Sequence, residues 1–276
     1  MPADLIEDLS ATAERVRRAT VQVEGGGRRG GSGVIWRTDG LVVTNAHVAR
    51  GTGGRIRLRD GRLVRARVAA RDSQLDLALL QADSGDLPAA AIGDSDALRA
   101  GQIVLAVGSP YGHAGAVTVG VIHSNGGGRW VQADLRLAPG NSGGPLADAE
   151  GRVIGINTMV MRGLALAIPS NLVARFVERR GRPARRLGVT VQPVNTPGFG
   201  LLIVEMEAGS PAERSGLQVG DVLTGAHGRP FEAPFDLTLL LDASVESSLS
   251  LDVLRGGRQV SVELVFEVSA VGADVG

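Results

Sequence analysis

The sequence of 276 residues contains no cysteine and no lysine, and aromatic residues make up only 3% of it. The lack of cysteine excludes disulfide bonds, a thiolate nucleophile and cysteine-bound zinc, and it leaves the redox compartment undecided. We attribute the lack of lysine to genome composition, since all 29 basic residues are arginine. The formal net charge is zero, so no overall charge attracts nucleic acid or an anionic membrane, and we expect neither as a partner.

Long hydrophobic runs are also missing. No segment approaches the roughly 20 apolar residues that a membrane-spanning helix needs. The stretch "MPADLIEDLSATAERVRR" at the start carries acids and arginines throughout, unlike a secretory signal peptide. We therefore expect no membrane span, and a cytoplasmic protein if the chain is complete; if a signal segment has been removed, the alternative is the periplasm or the cell envelope.

Glycine is abundant, with 40 residues, and between about residues 20 and 170 it separates short apolar runs such as "TVQVEG", "SGVIW" and "AVTVGVI". So many short strands at close spacing indicate an all-β barrel or sandwich and not βαβ units. The glycine-rich "GGGRRGGSGV" does not predict a phosphate-binding loop, because a strand follows it where such a loop needs a helix N-terminus.

Changes of pattern divide the chain into segments. Apolar residues at helical spacing predict an amphipathic helix over 4–18, and "PSNLVARFVERR" predicts a second helix before the Gly-, Pro- and Arg-rich "GRPARR". We expect five segments, which are an N-terminal helical segment 1–19, a β-rich domain 20–178, a linker 179–186, a second domain 187–268 and a C-terminal tail 269–276.

Short motifs in the second domain predict its helices and a hairpin. In "SPAERSGLQVGDVL" we expect Ser210 to cap a short helix, Glu213 to close a capping box and Gly216 to end the helix. "APFDLTLLLDAS" predicts another helix, and "SLSLDVLRGGRQVSVELVF" predicts a hairpin that turns at Gly256 and Gly257. A small β barrel with two helices is the expected architecture.

The stretch "GNSGGPL" surrounds Ser142 with glycines, an asparagine and a proline. Glycine adopts positive φ freely and admits close backbone approach, so this composition predicts a sharp turn that exposes the hydroxyl beside backbone N–H groups. The alternative is a glycine-rich surface turn that happens to carry a serine.

A serine becomes a good nucleophile only beside a base, and the base is usually oriented by a carboxylate. His47 in "VVTNAHVA" follows an apolar strand, and Asp76 lies between leucines in "QLDLALLQ", where a lone carboxylate needs a partner. The alternatives are a core histidine and an aspartate that serves a turn or an arginine. His113 and His123, in a loop and in a strand or turn, are the other histidines before residue 180.

The chain order His, Asp, Ser is that of chymotrypsin-type proteases. Together, "TNAHV", "DLALL", "GSPYG", "GNSGGPL", "GINT" and "LALAIPSN" resemble the HtrA/Deg family of trypsin-like serine proteases. "RLGV", "GSPAERSGLQVGDVL" and "VLRGG" resemble that family's single C-terminal PDZ domain. The resemblance covers nearly the whole chain and implies a mainly β protein, a chymotrypsin-like double β-barrel over 20–178 followed by a PDZ domain over 187–268.

The resemblance assigns roles to the motif residues. His47 would be the general base, Asp76 would orient and stabilise it, and Ser142 would attack the scissile carbonyl. The oxyanion hole would be formed by the turn of Gly140, Asn141 and Ser142, with the N–H groups of Gly140 and Ser142 as donors and Asn141 held in the turn. No cofactor and no metal are implied.

The resemblance also implies an S1 pocket that favours an aliphatic P1 residue. Its lining would be Val121, Ile122 and Met159, although these residues are equally consistent with the hydrophobic core. Arg136 in "DLRLAPG" departs from the small or apolar residues usual in the family. If it pointed inward it would favour acidic P1 residues or hold the loop inactive; we expect it to point outward, as a surface charge.

In the PDZ domain, a loop and the strand after it would bind the carboxylate and backbone of a peptide C-terminus. The matching residues are Leu187, Gly188, Val189 and Val191. The apolar side of the groove would come from the second helix, through Leu237, Leu240 or Leu241, which must also serve as core in part.

These features predict a serine endopeptidase that cleaves unfolded or damaged protein, with a PDZ domain that presents substrates or regulates activity. One alternative, suggested by Arg136, is a proteolytically silent chaperone or peptide-binding adaptor on the same fold; another is an esterase with the same triad. The resemblance implies a homotrimer, although the N-terminal segment lacks the aromatic residues through which many relatives form one.

Overall fold

The structure is a computed structural model that describes residues 3–24, 30–73, 75–124, 130–179, 186–196, 198–231, 236–243 and 248–266. The chain divides into two compact units, Met1–Arg182 and Pro183–Gly276. Most of the predicted linker and the whole predicted tail 269–276 lie outside the described residues.

The strands of the first unit close into two six-stranded barrels, which confirms the predicted double β-barrel. The first barrel, ordered β1-β2-β3-β6-β5-β4, comprises β1 (Thr20–Glu24), β2 (Gly31–Ile35), β3 (Leu41–Thr44), β4 (Gly53–Arg57), β5 (Leu63–Asp72) and β6 (Leu77–Ala82). The second, ordered β10-β11-β12-β9-β8-β7, comprises β7 (Ile103–Gly108), β8 (Ala116–Ser124), β9 (Val131–Asp134), β10 (Pro145–Asp148), β11 (Val153–Met161) and β12 (Leu164–Pro169).

Strands β3 and β6 position the first part of the site. Every residue of β3 is buried, and so are all those of β6 except one, so the two strands are anchored on both faces. Their antiparallel register pairs Thr44 at the end of β3 with Ala78 near the start of β6. The residues that follow β3 and the residue that precedes β6 are therefore neighbours at one end of the barrel.

Two helices of the first unit pack on the barrels. Helix α1 (Ala3–Arg18) buries Val16 against β7 and β10, and its Thr12 hydroxyl donates to the carbonyl oxygen of Ala149 at 3.1 Å. Helix α2 (Ser170–Glu178) buries its apolar face, including Phe176. Both helices match the sequence prediction. In the described part of the chain, no helix is long and apolar enough to cross a membrane.

The second unit is a small antiparallel sheet with two helices. Its strands are β13 (Val189–Asn195), β14 (Phe199–Met206), β15 (Val222–Ala226), β16 (Arg229–Pro230), β17 (Ser248–Arg255) and β18 (Arg258–Val265), in the order β13-β14-β15-β17-β18 with β16 paired to β15. Helices α3 (Pro211–Arg214) and α4 (Asp236–Ala243) complete it. Strand β13 therefore lies at one edge of the sheet.

The predicted N-cap, helix end and hairpin of the second domain are present, but the capping box differs, because Glu213 binds the N–H of Gly209 and not that of Ser210. The Ser210 hydroxyl accepts the N–H of Glu213 at 3.2 Å, and the Glu213 carboxylate accepts the N–H of Gly209 at 2.6 Å. Gly216 follows α3 with φ +77°, as a C-terminal glycine does. The β17–β18 hairpin turns at Gly256 and Gly257, which both have positive φ.

An ion pair between a buried carboxylate and a partly exposed arginine fixes the turn before β15 to β17. The Asp221 side chain is 2% exposed, and Arg255 donates to both of its oxygens, at 2.8 and 2.7 Å. The N–H of Gln218 also donates to this carboxylate. Burial raises the pKa of Asp221, but the hydrogen bonds from Arg255 and Gln218 outweigh burial, and the pKa lies below its usual range.

We predict that Asp221→Asn destabilises the second unit by about 2 kcal/mol at pH 7, because a charged hydrogen-bonded pair is broken. Folding lowers the pKa of Asp221, so its contribution is present above pH ~4 and is lost as the pH falls through the lower folded value. The difference in the free energy of unfolding between the wild type and Asp221→Asn should therefore become smaller in acid. Hydrogen exchange of the β17 amides in the full chain measures the effect at pH 7, and calorimetry follows it with pH.

Asp252→Asn is the matched control for this measurement, because the asparagine retains an acceptor for the N–H of Gly228 that Asp252 now binds. It should leave the exchange of β17 nearly unchanged. Equal exchange in the two variants would contradict a stabilising role for the Asp221–Arg255 pair.

Candidate active site

His47 and Asp76 meet at the end of the first barrel, where β3 ends and β6 begins. The Nδ1 atom of His47 lies 2.9 and 2.8 Å from the two carboxylate oxygens of Asp76. The backbone N–H of His47 donates to the same carboxylate at 3.1 Å. The carboxylate therefore holds both the backbone and the ring of the histidine, and it leaves Nε2 as the outer ring nitrogen.

The backbone of Asp76 is fixed as well. Its φ is +54°, a left-handed conformation that aspartate tolerates better than most residues. Its carbonyl oxygen accepts the side-chain N–H of Asn45 at 2.9 Å and the N–H of Ala46 at 3.1 Å. The "TNAH" turn thus binds Asp76 at two places. Asn45 and Ala46 bind its backbone carbonyl oxygen, and His47 binds its side-chain carboxylate.

Thr158, on β11 of the second barrel, also binds Asp76. Its side chain is buried, and its hydroxyl donates to the Asp76 carboxylate at 2.8 Å. Thr158 belongs to the "GINT" motif, but the motif alone predicts no role for it. Its contact with Asp76 spans 82 residues of the chain, so no local sequence signal identifies it.

These donors decide the ionisation of Asp76. Burial raises the pKa of the carboxyl, but the hydrogen bonds from the His47 ring, the Thr158 hydroxyl and the His47 backbone N–H outweigh burial. The pKa of Asp76 therefore lies below its usual range. The group is a carboxylate at neutral pH and can stabilise a positive charge on His47.

Ser142 lies in the second barrel, in the turn that leads into β10. Its hydroxyl donates to the carbonyl oxygen of Thr158 at 3.0 Å, and this is its hydrogen bond among the described residues, so the hydroxyl is not bonded to His47. Thr158 thus contacts Asp76 through its side chain and Ser142 through its backbone. Two of the three predicted site residues therefore bond to one threonine, and the third, His47, bonds to Asp76.

The nucleophile turn, residues 138–144, has the sharp geometry that its glycines predict. Gly140 has φ +106° and Gly143 has φ +84°. A Cβ at Gly140 would collide with the carbonyl oxygen of Ser109, and one at Gly143 would collide with the carbonyl oxygen of Ser32. Only glycine therefore combines this backbone conformation with so close an approach.

The turn directs two backbone donors away from other acceptors. The N–H of Asn141 donates to the carbonyl oxygen of Ala138 at 3.0 Å, and the Asn141 side chain is buried. Within the part of the chain that the structure describes, the N–H groups of Gly140 and Ser142 donate to no acceptor. Asn141 holds the turn, whereas the other two N–H groups can bind a ligand.

The predicted S1 residues are not brought together. Met159 follows Thr158 directly and is exposed, but β8, which carries Val121 and Ile122, stands opposite β11 in the order of the barrel. Ile122 is buried in the core of this barrel, as the core alternative requires, whereas Val121 faces outward. Arg136 is exposed, which agrees with an outward surface charge.

The predicted peptide-binding residues of the second unit lie at the start of β13. Leu187 is buried in the core, and Gly188 has φ +74°. Val189 and Val191 are partly buried against the same core. On α4, Leu237 and Leu241 belong to the core, and Leu240 is partly buried beside it. Of the three predicted leucines, Leu240 is therefore the one best able to contact a ligand.

The two units match two known domain families. The trypsin-like peptidase domain matches residues 31–156, and the PDZ domain matches residues 185–265. The first match includes His47, Asp76 and Ser142, and it ends just before Thr158.

Known proteins resemble both units in sequence and structure. A probable periplasmic serine endoprotease, DegP-like, from Pseudomonas savastanoi pv. phaseolicola is 37% identical over an alignment of 257 residues, which covers 83% of this chain and 54% of that protein. The chain thus spans about half the length of the curated relatives that it matches.

Solved structures match over nearly their full length. The HtrA-type protease AlgW with a tripeptide is 30% identical, with a TM-score of 0.68, and the match covers 92% of this chain and 95% of AlgW. The serine endoprotease from Yersinia pestis is 28% identical, with a TM-score of 0.69, and the match covers 93% of this chain and 96% of that one. The chain therefore belongs to the HtrA/Deg family of trypsin-like serine proteases with a PDZ domain.

Proposed function

We propose that this protein is a serine endopeptidase that cleaves unfolded or damaged proteins with a triad of His47, Asp76 and Ser142. The observation that carries the proposal is the Thr158 contact, which links the Asp76 carboxylate of one barrel to the Ser142 hydroxyl of the other. Nucleophile, base and orienting carboxylate are the three groups that acyl transfer to a serine requires.

The proposed reaction uses each of these groups in turn. The oxygen of Ser142 attacks the scissile carbonyl carbon while Nε2 of His47 accepts the hydroxyl proton. The resulting oxyanion is bound by the N–H groups of Gly140 and Ser142, which donate to no other described group, and each donor contributes about 3 kcal/mol in comparable sites. His47 then protonates the leaving amine as the C–N bond breaks, and water releases the acyl group by the same steps.

A change of rotamer prepares Ser142 for this attack. At rest its hydroxyl donates to the carbonyl oxygen of Thr158. We infer that rotation about χ1 replaces that hydrogen bond, which contributes about 1 kcal/mol, with one to Nε2 of His47. The rotation is a small cost, so a bound substrate can drive it.

The surface beside Thr158 suits an extended, apolar substrate. Met159, Val160 and Met161 are exposed and pair with β12 on one side, while the pairing of β11 with β10 ends at Ile156. This stretch therefore offers an open strand edge with apolar side chains, to which an unfolded chain can add. An aliphatic P1 residue near Met159 fits this surface.

We further propose that the second unit binds the C-terminus of a peptide along β13, with its carboxylate at the Leu187–Gly188 loop. Strand β13 is an edge strand, and Val189, Val191 and Leu240 supply partly buried apolar surface beside it. The domain would present substrates or regulate cleavage. Homotrimer formation, as the resemblance implies, is part of this proposal.

The names of the relatives favour one of the two expected locations. The curated relatives are described as periplasmic, which agrees with the periplasmic alternative and does not support the cytoplasmic prediction. We propose that this protein acts in the periplasm, where unfolded polypeptides are its substrates.

The first prediction from this proposal concerns Ser142 itself. Digestion of unfolded casein by the purified protein should be abolished in Ser142→Ala, because the alanine supplies no nucleophile. The same variant should bind PDZ-directed peptides as the wild type does. Casein cleavage by Ser142→Ala at the wild-type rate would exclude the proposed mechanism; an inert wild type that binds peptides would favour the silent adaptor.

The second prediction concerns Thr158. Thr158→Val keeps the side-chain shape but removes a hydrogen bond to a charged group, which contributes about 1.5–3 kcal/mol. We expect kcat/KM to fall by roughly 10- to 100-fold and the pKa of Asp76 to rise towards its usual value. Peptide hydrolysis and carboxyl ¹³C NMR measure the two effects; wild-type values for both would refute the role of Thr158.

The third prediction concerns the PDZ groove. A peptide that has an apolar C-terminal residue and a free C-terminal carboxylate should bind the Ser142→Ala protein. Amidation of that C-terminus should lower the affinity about tenfold or more. Leu240→Ala should weaken binding of the free acid further. Titration calorimetry measures both affinities, and equal affinity for acid and amide would contradict the groove.

A further inference from the structure

Ser32, on β2 of the first barrel, bonds to the second barrel through three contacts. Its side chain is completely buried, and its hydroxyl donates to the carbonyl oxygen of Gly140 at 2.7 Å while it accepts the N–H of Ser109 at 2.8 Å. Its backbone N–H donates to the carbonyl oxygen of Ser142 at 2.8 Å. Its carbonyl oxygen accepts the hydroxyl of Thr44, in the strand that leads to His47. One serine therefore connects the nucleophile turn to the strand of the base.

The two peptide groups that flank Gly140 are held by different partners. In the preceding peptide, the carbonyl oxygen of Pro139 accepts the N–H of Tyr111 at 3.1 Å. In the following peptide, the carbonyl oxygen of Gly140 accepts the Ser32 hydroxyl, and the N–H of Asn141 donates within the turn. The direction of the Gly140 N–H is thus set by contacts from outside the turn.

Such contacts are needed because the turn has an accessible alternative. Pro139 at the second position, Gly140 at the third with positive φ, and the Asn141-to-Ala138 hydrogen bond form the pattern of a type II turn. A type I turn with the same ends reverses the peptide that carries the Gly140 N–H. Glycine itself opposes this reversal little, since it occupies both conformations freely. The N–H of Tyr111 on the Pro139 carbonyl opposes the reversal directly. The Ser32 contacts instead fix the end of the turn, because they hold the carbonyl oxygens of Gly140 and Ser142.

We propose that Ser32 is a positioning residue for catalysis. It binds the carbonyl oxygens at both ends of the segment from Gly140 to Ser142, and it thereby keeps in place the two N–H groups that would bind the oxyanion. The proposal rests on the proposed function, because it assigns a role to an oxyanion donor. Without the hydroxyl, the carbonyl oxygen of Gly140 keeps only its 3.4 Å contact with the N–H of Ser109, and both groups are left poorly satisfied.

Ser32→Ala tests the proposal by separating transition-state stabilisation from substrate binding. We expect kcat for a peptide substrate to fall about 10- to 100-fold, which is a smaller loss than removal of an oxyanion donor causes. KM should stay within about twofold of the wild-type value. The inhibition constant of a peptide aldehyde should rise by a similar factor, because its tetrahedral adduct places an oxygen in the oxyanion hole. Affinity for the uncleaved peptide in a Ser142→Ala background should stay unchanged.

Two further variants make the test specific. Ser170→Ala is the matched control, because Ser170 is also completely buried and its hydroxyl donates to the carbonyl oxygen of Gly93 at 2.7 Å, remote from the triad. It should lower the melting temperature but not kcat. Ser32→Cys retains a weak donor and should restore part of kcat, and it serves the same comparison where Ser32→Ala fails to fold.

The outcomes separate this proposal from the proposed function. A wild-type protein that cleaves no peptide would overturn the proposed function itself. An active wild type, with Ser32→Ala no slower than Ser170→Ala, would overturn only the role of Ser32. Where Ser32→Ala fails to fold, Ser32→Cys takes its place in this comparison. The role of Ser32 would be supported if Ser32→Ala lowered kcat without changing KM and raised the inhibition constant of the peptide aldehyde. Ser32→Cys should then recover part of the lost kcat.

Discussion

The hydrogen bond from the Thr158 hydroxyl to the Asp76 carboxylate, at 2.8 Å, joins the two barrels at the point where the candidate chemistry is located. His47 and Asp76 are positioned within the first barrel by the register of β3 and β6. Ser142 is positioned within the second barrel, where it contacts the carbonyl oxygen of Thr158. The geometry of the proposed triad therefore depends on how this threonine aligns one barrel with the other.

The site combines strained or exposed local features with rigid surroundings. Asp76 has a left-handed backbone, and Gly140 and Gly143 take conformations that other residues would resist. These conformations persist because adjacent strands are buried on both faces and because buried hydroxyls satisfy the backbone groups of the turns. Ser32 and Thr158 belong to this support, and neither needs to touch a substrate to affect its cleavage.

Local signals in the sequence predicted most of the fold. The glycine-separated apolar runs predicted the barrels, and the N-cap at Ser210 and the hairpin at Gly256 needed only neighbouring residues. The motifs also predicted a triad of His47, Asp76 and Ser142. In the structure His47 bonds to Asp76, and Thr158 bonds to both Asp76 and Ser142. The roles of Ser32 and Thr158 were not visible, because they depend on contacts that span 82 to 108 residues of sequence. For the same reason, the sequence grouped Val121 with Met159, although their strands stand on opposite sides of a barrel.

The most direct test of the central claim is to treat the purified protein with a fluorophosphonate and to locate the adduct by intact mass and peptide mapping. The proposed triad predicts a single adduct on Ser142, formed slowly or not at all in His47→Ala and Asp76→Asn. An adduct on another residue, or equal labelling in all three proteins, would contradict the claim that Asp76, His47 and Ser142 act together.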